Sequence, residues 1–139
     1  KGLATQSSTL GHYVANNAID GNGSQFSNTS YQDNPWFSVT LPKNVYVNSI
    51  QIVNRIDCCK DRSSDFDVTL FDDMGNKIWT YYQKDSQDIF NFNEINHVGR
   101  TVKMQLRSGK MLNISNIKVY GKGIDYSSEP PGRKVSVDL

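Results

Sequence analysis

The sequence has little cysteine, no excess of charge of one sign, and no long apolar run. Its 139 residues carry 15 Lys and Arg against 14 Asp and Glu, a formal charge of +1. A nucleic-acid-binding module normally shows a basic excess, so this balance argues against nucleic acid as a partner. The apolar runs are only a few residues long, and none can span the ~30 Å hydrocarbon core of a bilayer. We therefore expect one ordinary domain that does not insert directly into a membrane.

The only two cysteines, Cys58 and Cys59, are adjacent in the chain. They cannot close a long loop, so they are not an ordinary stabilising crosslink. Adjacent Cα atoms lie ~3.8 Å apart across a trans peptide, whereas disulfides prefer ~4.4–6.8 Å. A bridge between them would be a strained ring, and strain of that kind tends to lie at functional sites. The alternative is two free thiols in a reducing compartment.

Helical periodicity is scarce, and apolar residues instead alternate with polar ones. Turn residues separate the alternating runs, for example at 41–44, 72–76 and 108–110. Short strands with turns at about 8–12-residue spacing are typical of an antiparallel sandwich or barrel. The sequence therefore predicts an all-β domain. The clearest predicted strands are residues 37–41, 50–52, 66–70, 102–106 and 117–119.

Three segments lack strand character. Residues 11–35 are rich in Asn, Gly, Ser and Asp, and residues 54–64 are charged. Both connect strand ends, so we expect them at one end of the sandwich, and a long loop in a compact domain is usually functional. Pro-Pro and Ser-Ser beside Gly after residue 121 predict a linker. We expect the domain at 1–121 and a linker to a following domain at 122–139. Because the chain starts at Lys1 with no Met and no signal peptide, we interpret it as a piece of a larger protein.

Two arginines, a carboxylate and the cysteine pair lie within residues 54–62. Each guanidinium presents up to five donors in a planar fork and keeps its charge, so Arg55 and Arg62 suit a ligand with clustered acceptors. Sugar hydroxyls, a carboxylate or a phosphate all qualify. Asp57 can hold the arginines in position by bidentate pairing. The alternative for Arg-x-Asp alone is a solvated charged loop.

A second polar cluster surrounds a glycine turn. Asn17, Asp20 and Asn22 place one carboxylate and two amides within six residues. Oxygen-rich turns suit Ca²⁺, which takes ~6–8 oxygen ligands, although a side-chain-capped turn fits the pattern equally well. His12 and His97 have no Cys or His neighbour at zinc spacing, and we identify no catalytic constellation. We therefore expect no enzyme.

Several motifs together resemble the F-type lectins, or fucolectins, which share the discoidin-like sandwich of coagulation factor C domains. The specific signal is Arg55-x-Asp57-x4-Arg62 with the cysteine pair inside it. The resemblance implies a discoidin-like (F5/8 type C-like) antiparallel jelly-roll of about eight strands. The supporting motifs are Ala4-Thr5-Gln6-Ser7-Ser8, Asn17-Ala18-Ile19-Asp20-Gly21-Asn22, Asn34-Pro35-Trp36-Phe37, Gly99-Arg100-Thr101-Val102 and Ile117-Lys118-Val119-Tyr120-Gly121.

The resemblance implies a site for α-L-fucose. Arg55 and Arg62 would bond the ring oxygen and hydroxyls, and Asp57 would orient them. A Cys58–Cys59 disulfide would pack against one edge of the sugar. The candidates for the wall beside the apolar 6-methyl group are Phe26 and His12.

The sequence departs from the family pattern in its first loop. The family's motif begins with a His that has 26 residues between it and the first Arg, and counting back from Arg55 reaches Asn28. An amide can accept and donate bonds as a neutral His does, so we expect binding with altered hydroxyl selectivity. The loop is also short, and a more open site would let Tyr31 and Gln32 touch a second sugar.

The resemblance also implies a structural calcium site. Asn116 stands where a Glu is common, which removes one carboxylate, but a bound cation would pin the loop that carries Asn28. The implied ligands are Asn17, Asp20, Asn22, Ser27, Ser115 and Asn116.

The resemblance leads us to expect a secreted, non-enzymatic lectin module for fucosylated cell-surface glycans of Lewis or blood-group type. A lectin domain before a Pro-Pro linker also fits the layout of cholesterol-dependent cytolysins with such a module. The alternative is a discoidin-type module that binds phospholipid or protein. It would need exposed apolar loop tips, and residues 11–35 offer few large apolar side chains.

Overall fold

The computed structural model describes residues 2–20, 25–123, 135–137 and 139. Short 3₁₀ helices lie at Ala15–Ala18 and Lys60–Arg62, and none of the helices in this part of the chain is long and apolar enough to cross a membrane. The strands of the described residues are β1 (Leu3–Gln6), β2 (Ser27–Asn28), β3 (Trp36–Val53), β4 (Phe66–Phe71), β5 (Lys77–Gln83), β6 (Ile89–Phe92), β7 (His97–Leu106), β8 (Asn113–Ile114), β9 (Asn116–Gly123) and β10 (Val135–Ser136).

The strands form the two layers of an antiparallel sandwich, as predicted. Residues 36–40 of β3 pair with β1 and β7, and β4 and β5 continue that layer. Residues 45–53 of β3 pair with β6 and β9 in the second layer, which β10 extends. A short separate pairing joins β2 to β8. Both layers therefore share β3, while β5 and β6 lie at their edges.

Strand β3 runs through the segment where the sequence predicts a turn. Leu41-Pro42-Lys43-Asn44 does not separate two strands; it interrupts the pairing register between Thr40 and Val45 within one. The reason is that Pro has no N–H for a ladder bond, so the register breaks there without ending the strand. Arg100 bridges the break, donating from Nε to the Leu41 carbonyl at 3.0 Å and from Nη2 to the Pro42 carbonyl at 3.1 Å.

Alternating side chains from both layers fill the core. Phe66 of β4 and Phe90 of β6 meet edge to face with ring centroids 5.1 Å apart, and both are almost fully buried. Burying each such ring stabilises the fold by roughly 1.5–3 kcal/mol. The backbones of β9 and β3 also lie very close together at Gly121. A Cβ there would be 2.1 Å from the Tyr46 carbonyl oxygen, so only glycine fits.

The C-terminal segment packs onto the sandwich. Strand β9 runs to Gly123, and β10 pairs with Tyr120 and Gly121. Leu139 is buried, and its carbonyl accepts a bond from the Gly2 N–H at 2.7 Å. This differs from the predicted boundary at residue 121, because residues 135–137 and Leu139 lie against the same domain. Most of the predicted linker, residues 124–134, lies outside the described residues.

Candidate functional site

Arg55 follows the end of β3 and is held between an aromatic ring and a carboxylate. Its guanidinium carbon lies 3.9 Å from the centroid of the Phe26 ring. Nε donates to Asp57 Oδ1 at 2.8 Å and Nη2 donates to Oδ2 at 3.3 Å. The Arg55 side chain is 19% exposed and that of Asp57 is 65% exposed. The contact with Phe26 also brings residues 11–35 and 54–64 together at one end of the sandwich, as predicted.

The hydrogen bond from Arg55 holds the pKa of the Asp57 carboxyl below its usual value, and desolvation opposes this only in part. The carboxylate therefore stays ionised and keeps the guanidinium plane fixed. Asp57 contacts Arg55 and does not bond Arg62 in the described structure, so it orients one of the two arginines rather than both.

An aromatic stack supports Arg55 from below. Tyr13 lies parallel to Phe26, with centroids 4.6 Å apart and an interplanar angle of 9°. Two groups centred so close to one ring must occupy its opposite faces, so Tyr13 and Arg55 cover both faces of Phe26. His12 is exposed, with its ring 4.8 Å from that of Tyr13. The predicted wall residue Phe26 therefore offers a ligand only its edge, and Tyr13 is a supporting residue that sequence reasoning missed.

Cys58 and Cys59 form a disulfide between adjacent residues, with Cα atoms 3.8 Å apart. Cys58 is exposed and Cys59 half-buried. Cys59 takes a φ of +64°, in the left-handed region that non-glycine residues seldom adopt. The bridge thus exposes sulfur on the loop between the two arginines.

Arg62 ends the 3₁₀ helix that follows the disulfide. Its Nη1 lies 3.2 Å from the sulfur of Met111, and its backbone N–H donates to the Cys59 carbonyl at 3.0 Å. No carboxylate pairs with Arg62 among the described residues. Its remaining donors are available to a ligand. Met111 is a site neighbour that no sequence pattern indicated.

Hydrogen bonds from two buried side chains anchor the loop that carries the arginines and the disulfide. Asn54 is 1% exposed, and its Nδ2 lies 2.8 Å from the Lys60 carbonyl, 2.9 Å from the Gln87 carbonyl and 3.3 Å from Ser86 Oγ. On the other side, Ser63 Oγ donates to the Asn113 carbonyl at 3.2 Å. Sequence reasoning gave Asn54 no role, because its importance depends on carbonyls distant in the chain.

Asn28 lies inside the domain. It is 1% exposed, its Nδ2 donates to the Thr29 carbonyl at 2.9 Å, and its Oδ1 accepts a bond from Asn113 Nδ2 at 2.8 Å. This corrects the expectation that Asn28 faces a sugar. Counting residues back from Arg55 locates the position along the chain, but the pairing of β2 with β8 buries it.

Tyr31 and Gln32 lie on the Arg62 side of the site. Tyr31 is 74% exposed. The Gln32 N–H donates to the Lys110 carbonyl at 2.8 Å, next to the Met111 that contacts Arg62. The two residues are therefore placed near Met111, on the side of the site that carries Arg62.

Three predicted cation ligands lie close together. Asn17 Nδ2 donates to the Phe26 carbonyl at 3.2 Å, leaving the amide oxygen to face elsewhere. Ser27 is buried opposite Ile114, to whose carbonyl its Oγ donates at 3.4 Å, and Ser115 is the next residue in the chain.

The other predicted ligands are placed less completely. Asp20 is exposed after the first 3₁₀ helix, Asn116 is half-buried at the start of β9, and Asn22 lies outside the described residues. All the predicted ligands offer oxygen atoms, and only one of them is a carboxylate. Such a set fits a hard cation such as Ca²⁺, although it neutralises little of the ion's charge.

The arrangement is suited to recognising a ligand with clustered oxygen acceptors. It combines two planar cations, one fixed and one with unpaired donors, with an exposed sulfur surface between them. Such a shallow polar surface fixes orientation through a few well-placed hydrogen bonds.

The sequence profile of the F5/8 type C family described as "NedA-like, galactose-binding domain" matches residues 17–107. A fucolectin from Anguilla anguilla is 41% identical over 81 residues, covering 50% of this chain and 51% of that protein. Fucolectin-6 of Anguilla japonica is 40% identical over 73 residues, which are 45% of this chain and 39% of that protein. The chain therefore spans about half the length, or less, of these curated relatives.

Two solved structures are similar over most of the chain. A Streptococcus pneumoniae fucose-binding module has a TM-score of 0.79 and 28% identity, covering 84% of this chain and 89% of its own. The lectin domain of lectinolysin in complex with Lewis B antigen has a TM-score of 0.81 and 26% identity, covering 87% and 93%.

Proposed function

The chain belongs to the F5/8 type C family of NedA-like, galactose-binding domains and is an F-type lectin domain, and from this premise we propose that it binds α-L-fucose without catalysing a reaction. The observation that carries the proposal is Arg55, stacked 3.9 Å above Phe26 and paired with Asp57, beside the Cys58–Cys59 disulfide. This preorganises the donors before any ligand arrives, which lowers the entropic cost of binding.

The remaining donors define the recognition. Arg55 Nη1 and the unpaired nitrogens of Arg62 would bond the ring oxygen and hydroxyls of the sugar, while Asp57 holds Arg55 in place. The disulfide would cover one edge of the ring. Because both faces of Phe26 are occupied, its edge and the exposed His12 are the surfaces left for the 6-methyl group.

The test is a calorimetric titration of the oxidised domain with L-fucose, with D-galactose as the control sugar. We expect saturable binding of L-fucose and none of D-galactose. Absence of L-fucose binding, in protein shown to be folded with its disulfide intact, would contradict the proposal.

The finer specificity extends the same proposal. Exposed Tyr31 and neighbouring Gln32 would contact a second sugar, so we expect a preference for difucosylated Lewis and blood-group glycans over fucose alone. Monovalent binding at a shallow site is weak, and attachment to a larger secreted protein, such as a pore-forming toxin, would raise avidity at cell surfaces. Binding of the full-length protein to cells before and after fucosidase treatment tests this targeting role.

We also propose a structural Ca²⁺ at the cluster around Ser27 and Ser115. The cation would tie the turn at Asn17 to the pairing of β2 with β8, and so stabilise the loop that carries Phe26. We expect EDTA to lower the midpoint of thermal unfolding and added CaCl2 to restore it. An unchanged midpoint in both conditions would contradict a bound cation.

A second candidate function is a discoidin-type phospholipid- or protein-binding module. Three large apolar side chains are exposed on the loops that carry the site, namely Leu10 at 42%, Val14 at 45% and Ile56 at 69%. Co-sedimentation with vesicles of phosphatidylserine and phosphatidylcholine would detect this activity. Vesicle binding together with no L-fucose binding would favour it.

A further inference from the structure

A groove runs along one open side of the sandwich, where the edge strands of the two layers face each other. It lies between β5 of the first layer and β6 of the second, and its volume is about 270 Å³. The sugar site proposed above lies in the loops at the end of the sandwich and shares no residue with it. The groove is therefore a separate feature.

Aromatic side chains form the apolar part of the groove. Phe92 is buried at its base, Trp79 meets it at a steep angle with centroids 6.3 Å apart, and Tyr81 lies 5.5 Å from it. Tyr81 is 50% exposed and Trp79 half-buried. Within the described structure the indole N–H of Trp79 has no hydrogen-bond partner. An accessible aromatic surface with an unused donor is thus available to a ligand.

Four uncharged amides form the polar part of the groove, and none of the described residues that line it is charged. Asn91 Oδ1 accepts a bond from Gln51 at 3.1 Å, which leaves the Asn91 amino group available. Gln83 Nε2 donates to the Asp85 carbonyl at 2.9 Å, which leaves the Gln83 oxygen available. Gln87 and Asn93 complete the lining. Amides supply both donors and acceptors, so the groove matches a ligand that carries both and has no charge.

The groove begins next to the sugar site. The carbonyl of Gln87 accepts a bond from Asn54 at 2.9 Å, and Asn54 directly precedes Arg55. From there β5 carries the lining from Gln83 to Trp79, a distance of roughly 13 Å at ~3.3 Å per strand residue. One extended ligand, or two separate ones, can therefore follow the two surfaces.

We propose that this groove is a second glycan-binding site, for a neutral saccharide without fucose. A saccharide presents both hydroxyl groups and apolar C–H faces. The amides can exchange hydrogen bonds with the hydroxyl groups, and the aromatic rings can pack against the C–H faces. The proposal does not depend on fucose binding at Arg55.

The test uses Trp79 as the reporter. A Trp36→Phe variant leaves Trp79 as the one remaining tryptophan of the chain, which has two. We expect lacto-N-neotetraose or chitotetraose to change its fluorescence saturably, and amide chemical shifts to move in β5 and β6. Failure of both saccharides to do so would overturn the proposal, as would shifts confined to residues 54–62.

Two further variants separate this site from the sugar site. Asn91→Asp keeps the bond from Gln51 but removes the donor and adds a charge, so we expect saccharide affinity in the groove to fall about tenfold. L-fucose binding should persist in this variant. Arg55→Ala should weaken L-fucose binding about a hundredfold and leave the groove's response unchanged. Loss of both activities in either variant would contradict two independent sites.

Discussion

Two arginines near the same end of the sandwich are held by the same pair of contacts. Arg55 lies 3.9 Å above Phe26 and pairs with Asp57; Arg107 lies 3.9 Å above Tyr82 and pairs with Asp67. We call them the Arg55 assembly and the Arg107 assembly. In each assembly a ring and a carboxylate therefore hold the guanidinium in the same way.

The two assemblies differ in their surroundings. Arg107 donates from Nε and Nη2 to both oxygens of Asp67, at 2.9 and 2.8 Å, and Tyr82 and Ser108 both donate to Asp65. That network gives both carboxylates donors from neighbouring side chains and braces the ends of β4, β5 and β7.

The Arg55 assembly is flanked by groups that are not satisfied. The disulfide exposes sulfur beside it, and Arg62 has donors without a carboxylate partner in the described part of the chain. The Arg55 assembly thus differs from the Arg107 assembly in having unused donors and a disulfide beside it, which suits it to holding a ligand.

The largest expected effect comes from removing each arginine in turn. Arg55→Ala should weaken L-fucose binding about a hundredfold, because a charge-assisted hydrogen bond to the sugar, worth ~1.5–3 kcal/mol, is lost. Arg107→Ala, the matched control, should leave the affinity unchanged. Calorimetry on both variants checks this, and equal losses would show that the assemblies are not functionally distinct.

Asn28 is buried next to the Arg55 assembly, and its backbone N–H donates to the carbonyl of Tyr13 at 3.0 Å. Asn28→Ala leaves Asn113 Nδ2 without its acceptor, and we expect the free energy of unfolding to fall by about 1–3 kcal/mol. The affinity of the folded variant for L-fucose should be unchanged. Urea unfolding and calorimetry measure the two quantities. Lost affinity with unchanged stability would instead identify Asn28 as a sugar contact.

The disulfide lies beside the Arg55 assembly and has no counterpart at the Arg107 assembly in the described residues. A Cys58→Ser, Cys59→Ser double variant should lower L-fucose affinity roughly tenfold, because the loop loses its preorganised shape. The stability should hardly change, since a bridge between adjacent residues closes no long loop. Calorimetry compared with thermal unfolding separates the two effects, and a large loss of stability would contradict a purely local role.

The smallest expected effect distinguishes the assemblies by pH. The hydrogen bond to Asp65 raises the pKa of Tyr82, so the network's contribution to stability is complete below the ordinary tyrosine pKa and is lost as pH rises above it. Bonds from Ser108 and Tyr82 lower the pKa of Asp65, and that contribution is lost only in acid. The pKa of Asp57 is lowered too, so the Arg55–Asp57 pair also loses its contribution to stability only in acid.

Urea unfolding at pH 7 and about pH 10.5, near the ordinary tyrosine pKa of ~10, checks this difference. We expect wild-type protein to lose more stability than Tyr82→Phe between the two conditions. L-fucose affinity should not respond to Tyr82→Phe. Equal losses in both proteins would show that the Tyr82 hydroxyl does not contribute.

The parts of the fold and site that depend on neighbours in sequence were predictable. Alternation at 66–70 and 102–106 correctly predicted the strands β4 and β7. The Arg55–Asp57 pair was also predictable, because its residues are only two apart in the chain. The turn predicted at 41–44 was wrong, because pairing partners on both sides carry β3 through it. Whether Cys58 and Cys59 were bridged stayed open at the level of the residues.

The sequence by itself determined the all-β class and the compact motif of arginines, carboxylate and cysteines, because both depend on residues close together in the chain. Tertiary structure decided which side chains meet that motif. Phe26 reaches Arg55 from the first loop, Met111 reaches Arg62 across 49 positions, and Asn113 buries Asn28 across 85. Such contacts follow from the pairing of distant strands, which no local periodicity encodes, and the groove between β5 and β6 exists only because two layers pack together.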